Sequence, residues 1–310
     1  MNQKKLNGRC LDELMTALKR NYSHYDRTGT DWPARTKKLR KKIVAAKSTK
    51  GWVDAVARFL SAAEDPHIWI NYKGKTTGTY QRKFTPNITL KGIEAEIGKL
   101  ERRNNNALVT QIEGDIAYIN IPSWSGGKKA EIEALQGILA ETRGSKAMII
   151  DVRGNSGGDE SLARGVAAWF VEGEQVYAKH QFRDASAKGG FGPVMERKIV
   201  GNEGDQRFDG PVAVLMGPVN ISSCESFLLM MKQGKKVTLV GAKSGGSSGN
   251  PKPFVLENDV EVYIPSWRDI QLDGSSLEGV GIEPDVVVTA KKEEYELGDP
   301  VIPAGHSDLK

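Results

Sequence analysis

The sequence predicts an α/β protein with a helical N-terminal part. Three observations carry that expectation. From about residue 107 to 290, strand-like and helix-like patterns alternate. Residues 146–152 and 212–216 are nearly continuous apolar runs, as in strands buried on both faces. The first 65 or so residues instead carry apolar side chains at helical spacing.

Taken in order, Leu11, Leu14, Met15 and Leu18 fall on one helical face. Asp31-Trp32-Pro33 reads as a helix cap followed by a proline in the first turn. Val53, Val56, Ala57 and Leu60 form another stripe. Residues 68–72 are β-rich, residues 73–90 read as loop and edge strand, and Ile93, Ile97 and Leu100 suggest a short helix. Two β-rich runs, 108–112 and 116–121, flank Glu113-Gly114-Asp115, a hairpin signal. Helix 130–142, strand 146–152, a glycine-rich loop at 153–158 and helix 160–170 follow. Strand 212–216, helix 223–232 and strand 237–240 close the series. The expected division is a helical subdomain at 1–66, a connecting segment at 67–106, a core at 107–290 and a loosely held tail at 291–310.

With 39% hydrophobic and 27% charged residues the composition is that of a globular chain. No apolar run approaches the ~18 residues of a membrane span. The net charge of +5 is concentrated in Arg35, Lys37, Lys38, Arg40, Lys41, Lys42, Lys47 and Lys50. No aromatics interleave that cluster, so it reads as a solvated helix face and no nucleic-acid partner is expected. Cys10 and Cys224 form no CxxC and no disulfide framework. Leu6 is followed by Asn, Gly and Arg, so no signal peptide is visible. The expected setting is cytoplasmic, or exported if a leader has been removed. No His/Cys/Asp cluster has metal-ligand spacing and no GxGxxG or P-loop pattern follows a strand, so no cofactor or metal is expected.

Three serines have nucleophile-like surroundings. Ser156 lies in Gly-Asn-Ser-Gly-Gly, which resembles the nucleophile loop of trypsin-like proteases with Asn where those have Asp, but an apolar strand and an amphipathic helix flank it instead of an all-β context. Ser247 lies in a GxSxG pattern, which needs a helix directly after it. Asn250-Pro251-Lys252-Pro253 cannot form one. Ser222 follows a buried strand and a Gly217-Pro218 turn and sits where a helix begins. Unpaired backbone N–H groups there favour negative charge on a nearby oxygen. The alternative is purely structural: Ser222 as an N-cap, with Glu225 completing a capping box.

Met148–Gly158, Ser222-Ser-Cys-Glu225, residues 237–241 and 116–123, and Gly279–Asp285 are together similar to motifs of peptidase family S41, the C-terminal processing peptidases. Residues 148–158, Met-Ile-Ile-Asp-Val-Arg-Gly-Asn-Ser-Gly-Gly, resemble that family's IIDLRxNxGG strand and loop. Ser222-Ser-Cys-Glu225 resembles its SASE motif, whose first serine is the nucleophile. Residues 237–241 resemble its VxLVG strand, residues 116–123 its IGYIRIxSF strand, and Gly279-Val-Gly-Ile-Glu-Pro-Asp285 its closing GVxPD. Asp31-Trp32 and Asp65-Pro66-His67 resemble its N-terminal helical part. The resemblance implies a ClpP/crotonase-like ββα-spiral core with an N-terminal helical subdomain, a serine hydrolase activity, and a peptide or protein substrate.

Two base arrangements occur in the family. The Ser–Lys type places lysine about 25 residues after the serine, where this chain has Ser247; Lys243 is out of register. That type also carries a PDZ domain, for which residues 67–108 are too few. The type seen in the tricorn core uses Ser, His and Glu, and both other positions are filled: His67 follows Asp65-Pro66, and Glu278 stands three residues before Gly281. The auxiliary serine beside the base histidine is missing, since Pro66 and Ile68 flank His67. The resemblance thus implies Ser222 as nucleophile, His67 as general base and Glu278 as its orienting carboxylate, because a hydroxyl needs an adjacent base to attack at neutral pH. The oxyanion hole would combine the N–H of Ser223 with one from Gly157 or Gly158. His24, His180 and His306 read as core or surface residues, and Cys224 as a small buried side chain. Two other readings stay open: a non-catalytic binder of apolar ligands, as in the retinoid-binding repeats that share the fold, and a hydrolase of esters or modified peptides.

Overall fold

The computed structural model describes residues 2–103, 107–125 and 129–309. In chain order the first elements are α1 (Gln3–Asn21), α2 (Trp32–Val44), α3 (Thr49–Leu60), β1 (Trp69–Tyr72), β2 (Lys75–Gly78), α4 (Leu90–Ile97), β3 (Glu101–Arg102), β4 (Leu108–Ile112) and β5 (Ile116–Asn120). Then come α5 (Lys129–Thr142), β6 (Ala147–Asp151), α6 (Glu160–Ala167), β7 (Glu174–Phe182), β8 (Met195–Val200), β9 (Val212–Met216), α7 (Ser223–Met231) and β10 (Val237–Gly241). The last are β11 (Pro251–Val255), β12 (Glu261–Pro265), β13 (Trp267–Ile270), β14 (Val286–Val287), α8 (Glu294–Leu297) and α9 (Val301–Asp308). They form two compact units: Met1–Lys83 with His180–Met195 and Ser247–Asp269, and Phe84–Lys179 with Glu196–Gly246 and Ile270–Lys310.

The first unit is the helical one. Asn2, Asp31 and Ser48 each cap a helix by accepting a backbone N–H, from Lys4, Ala34 and Gly51. Such a cap satisfies one of the orphan donors of a helix start. Pro33 sits in the first turn of α2, where its missing N–H costs nothing. The stripes of α1 and α3 bury Leu11, Leu14, Leu18, Val56 and Leu60 around Trp32 and Trp52. Cys10 belongs to the same cluster. A four-stranded antiparallel sheet in the order β11-β12-β1-β2 supplies Ile70, Val262 and Ile264 to that core.

The second unit is the α/β core, a seven-stranded sheet in the order β14-β10-β9-β6-β5-β4-β3. The pairs from β5 to β14 are parallel, and β3 and β4 add an antiparallel edge. Every residue of β5, β6 and β9 is buried, which explains their unbroken apolar runs. Alternation along each strand separates two cores. Met148, Ile150, Val212 and Val214 face a cluster with Leu135, Leu162 and Phe227 of α5, α6 and α7. Ile149, Ala213 and Leu215 face one with Ile93, Tyr295, Val301 and Ile302 of α4, α8 and α9.

Residues 291–309 are held more firmly than the composition of the tail suggests. Gly298, Pro300, Pro303 and Gly305 read as breakers, yet Val301–Asp308 is a helix that buries Val301 and Ile302. Gly305 is where it touches the sheet, since a Cβ there would lie 2.9 Å from Leu215 Cδ2. A buried ion cluster fastens this segment. The Arg153 guanidinium, fully buried, pairs with Asp151 (2.6 Å) and Asp299 (2.7 Å) and donates to the Asn87 carbonyl (3.0 Å). Tyr118 donates to Asp151 at 2.7 Å.

Candidate active site

In the second unit, β6 and β9 lie side by side and the chain leaves both at the same end of the sheet. Asn220 ties the two exits together. Its Oδ1 accepts the Gly217 N–H at 2.7 Å, and its Nδ2 donates to the carbonyls of Val152 (2.5 Å) and Asn155 (3.0 Å). Two residues on, Ser222 has φ 57° and ψ −133°. A serine in that region costs about 1–3 kcal/mol and persists only where its surroundings enforce it. Ser222 is half-buried at the start of α7, and its side chain caps nothing.

The capping box weighed from the sequence is thus not formed. Glu225 is fully buried and turns elsewhere. It accepts the Ser244 hydroxyl at 2.5 Å and the Gly246 N–H at 2.8 Å. Ser244 Oγ in turn accepts the Ile282 N–H at 2.7 Å, and its own N–H donates to the Ile282 carbonyl at 3.0 Å. Gly279 N–H donates to Gly246 O at 2.9 Å. Glu225 of α7 therefore braces the turn that carries Glu278, which is 8% exposed. Gly279 and Gly281 bend that turn, each with φ 77°.

The glycine-rich loop comes close to Ser222. A Cβ on Gly157, which has φ 102°, would lie 2.9 Å from Ser222 Cβ and 3.2 Å from Ser223 N. The candidate oxyanion donors differ in availability. Gly157 N–H donates to Asn155 Oδ1 at 2.8 Å. Gly158 N–H donates to Ser223 Oγ at 2.8 Å, and that hydroxyl donates back to Gly158 O at 2.7 Å. Ser223 N–H has no acceptor among the described residues, as expected for the first residue of a helix. A glycine N–H would have to leave or share its present acceptor to join it. Ser156 is exposed at the loop tip. Cys224 is fully buried, and burial pushes its thiol well up, the opposite of an activated thiolate.

His67 and Asp65 lie in the first unit. Asp65 is fully buried and accepts the Tyr22 hydroxyl at 2.9 Å and the His67 N–H at 2.8 Å. Burial works to raise its carboxyl, but the nearby His67 ring, the His67 backbone N–H and the charge of His24 outweigh it and hold the group below its ordinary value. His67 is 7% exposed, and its Nδ1 lies 3.1 Å from Ser247 Oγ. Ser247, rejected above as a nucleophile, is followed by strand β11 rather than a helix. Its contact with His67 has no signature in the local sequence. The one signal was its place about 25 residues after Ser222, where the Ser–Lys type carries its base. His180 packs against Phe182 and Trp267. Among the described residues no group of three His, Cys, Asp or Glu is placed to hold a metal, and no helix is long and apolar enough to cross a membrane.

Residues 115–288, more than half of the chain, match the family model of peptidase family S41. The chain belongs to peptidase family S41. The S41 chain is 24% identical over 208 residues to a carboxy-terminal-processing protease of Bartonella bacilliformis, an alignment covering 66% of this chain and 45% of that protein. It spans less than half the length of the curated relatives it matches. Solved structures share its fold, among them two matched over nearly the whole chain. One, a protein from Parabacteroides merdae, superposes with a TM-score of 0.81 at 19% identity, covering 100% of this chain and 97% of that one. Mature CPAF superposes at 0.69 with 11% identity, covering 96% and 95%. The family match and the curated relative favour the serine-peptidase expectation over the apolar-ligand binder.

Proposed function

We propose that this S41 chain hydrolyses peptide bonds through an acyl-enzyme on Ser222, with His67 as general base and Glu278 as the carboxylate of the set. The observation that carries this reading is the backbone of Ser222, φ 57° and ψ −133°, at the first turn of a buried helix whose start its hydroxyl does not cap. Strain is kept where it serves a function more readily than in a plain N-cap. The hydroxyl is left free to attack a carbonyl, and the Ser223 N–H beside it is free to receive the oxyanion.

In the proposed cycle His67 takes the Ser222 proton as Oγ bonds to the carbonyl carbon, then gives it to the leaving amine. Water, deprotonated by the same imidazole, releases the acid and restores Ser222. Glu278 stabilises the imidazolium formed at each step. Peptide or protein is the substrate class; ester hydrolysis would follow the same steps. Labelling the purified protein with a fluorophosphonate and mapping the adduct by mass spectrometry tests the reading. Label is expected on Ser222, absent in Ser222→Ala and strongly reduced in His67→Ala. Label on Ser156 or Ser247, or undiminished labelling of Ser222→Ala, would overturn it.

A further inference from the structure

Asp65 Oδ1 and Ser247 Oγ both lie near His67 Nδ1 within its own unit. Asp65 Oδ1, at 3.7 Å, is beyond hydrogen-bond reach. Its Asp65 carboxylate is also engaged by the His67 backbone N–H and by Tyr22. Ser247 Oγ, at 3.1 Å, is within reach. Ser247 is fully buried, so its hydroxyl meets protein and not bulk water. The segment that follows is held firmly. Gly249 O accepts the N–H of Ser266 at 2.8 Å and of Trp267 at 3.3 Å. A Cβ on Gly249, at φ 156°, would lie 2.5 Å from Pro265 Cβ, so only glycine allows this approach.

A neutral imidazole carries one proton, and the group bonded to one nitrogen decides which nitrogen is left basic. A hydroxyl can accept from Nδ1–H, and in doing so leaves Nε2 unprotonated. We propose that Ser247 is a positioning residue for His67: its hydroxyl accepts the Nδ1 proton, fixes the tautomer with a basic Nε2 and holds the ring angle. The inference rests on His67 being the general base. It replaces an auxiliary serine adjacent in sequence, which Pro66 and Ile68 exclude, by one brought from 180 positions further along the chain.

Two measurements test it. The first is the rate of fluorophosphonate labelling at Ser222 in wild type, Ser247→Ala, His67→Ala and the double variant. Ser247→Ala is expected to slow labelling about 10- to 100-fold, in the range of outer partners that orient a functional imidazole. It should add nothing in the His67→Ala background, because a residue acting through another shows no further effect once that one is gone. Labelling of Ser247→Ala at the wild-type rate, or the same slowing with and without His67, overturns the proposal. The second uses the wild-type protein and needs no variant to fold. The ¹⁵N shifts of the His67 ring are expected to show a proton on Nδ1 in the neutral form, and a neutral ring protonated on Nε2 overturns the proposal. Failure of wild type to label at all counts against Ser222 as nucleophile, whereas the ring shifts report the His67 tautomer whatever Ser222 does.

Discussion

Replacing Asp299 by alanine is expected to cost about 4 kcal/mol of stability, with little direct effect on the reacting groups. The magnitude follows from two losses. Arg153 is fully buried and gives Asp299 a bidentate pair of bonds, Nη1 to Oδ1 at 2.8 Å and Nη2 to Oδ2 at 2.7 Å. Removing one partner of a buried ion pair costs about 3–5 kcal/mol, because the other charge stays desolvated. Asp151 remains on Nε and Nη2 and retains part of the compensation, which places the loss at the lower end. Asp299 Oδ1 also accepts the N–H groups of Val301 and Ile302 at 3.0 and 3.2 Å. Losing such a cap costs about 1 kcal/mol. Urea unfolding of wild type, Asp299→Asn and Asp299→Ala measures the effect. Asparagine keeps an acceptor for the helix start and is expected to lose less than alanine. A loss below about 1.5 kcal/mol for alanine would refute the claim that this cluster anchors the C-terminal helices, since even one unsatisfied buried charge should exceed it.

His24 gives a pH dependence. Burial lowers its pKa below the ordinary 6.5, and the opposing charge of Asp65 does not restore it. The folded chain therefore resists a proton that the unfolded chain accepts. The stability contribution is complete above about pH 6.5 and is lost as pH falls from there through the folded value. Thermal melts from pH 7 downward should show a flatter decline for His24→Gln; an unchanged slope would show that His24 takes up its proton as readily in the folded chain as in the unfolded one. Gly157→Ala forces a Cβ to 2.9 Å from both Ile221 O and Ser222 Cβ at a φ of 102°. Ser222, the proposed nucleophile, must shift, and a displacement near 1 Å costs on the order of 10²-fold in rate. Fluorophosphonate labelling of a folded Gly157→Ala variant at the wild-type rate would contradict that close approach.

Much of the fold was legible because it depends on local pattern. The buried runs at 147–151 and 212–216 are strands in the middle of the parallel sheet, and the stripes of α1 and α3 face one core. Pairing between distant segments was not legible. β1 pairs with β12 in the register Ile70 to Val262, and no short-range pattern names a partner so far along the chain. The tail misled because Pro300 and Pro303 mark breaks in an exposed chain, whereas here they stand at the start of α9, where a missing N–H costs little. At the candidate site, motif order pointed to Ser222, Glu278 and His67, but the positive φ of Ser222 has no sequence signature. Glu225 matched a capping box in spacing, yet the Ser244 hydroxyl and Gly246 N–H compete for its carboxylate and win. The hydrogen bonds that occupy the Gly157 and Gly158 N–H groups were equally invisible, because they depend on where the Asn155 and Ser223 side chains turn.

The brace between Glu225 and Ser244 also bears on inheritance. A buried carboxylate tolerates few exchanges alone, and a descendant that loses the Ser244 hydroxyl keeps an acid with a donor removed from beside it. One that loses the acid keeps a hydroxyl and a Gly246 N–H facing an emptied site. Either change by itself is a handicap, and replacing both removes the mismatch between acid and hydroxyl but still leaves the Gly246 and Ile282 N–H groups without their acceptors. These two positions, 19 apart in the chain, should therefore change together or not at all as lineages diverge.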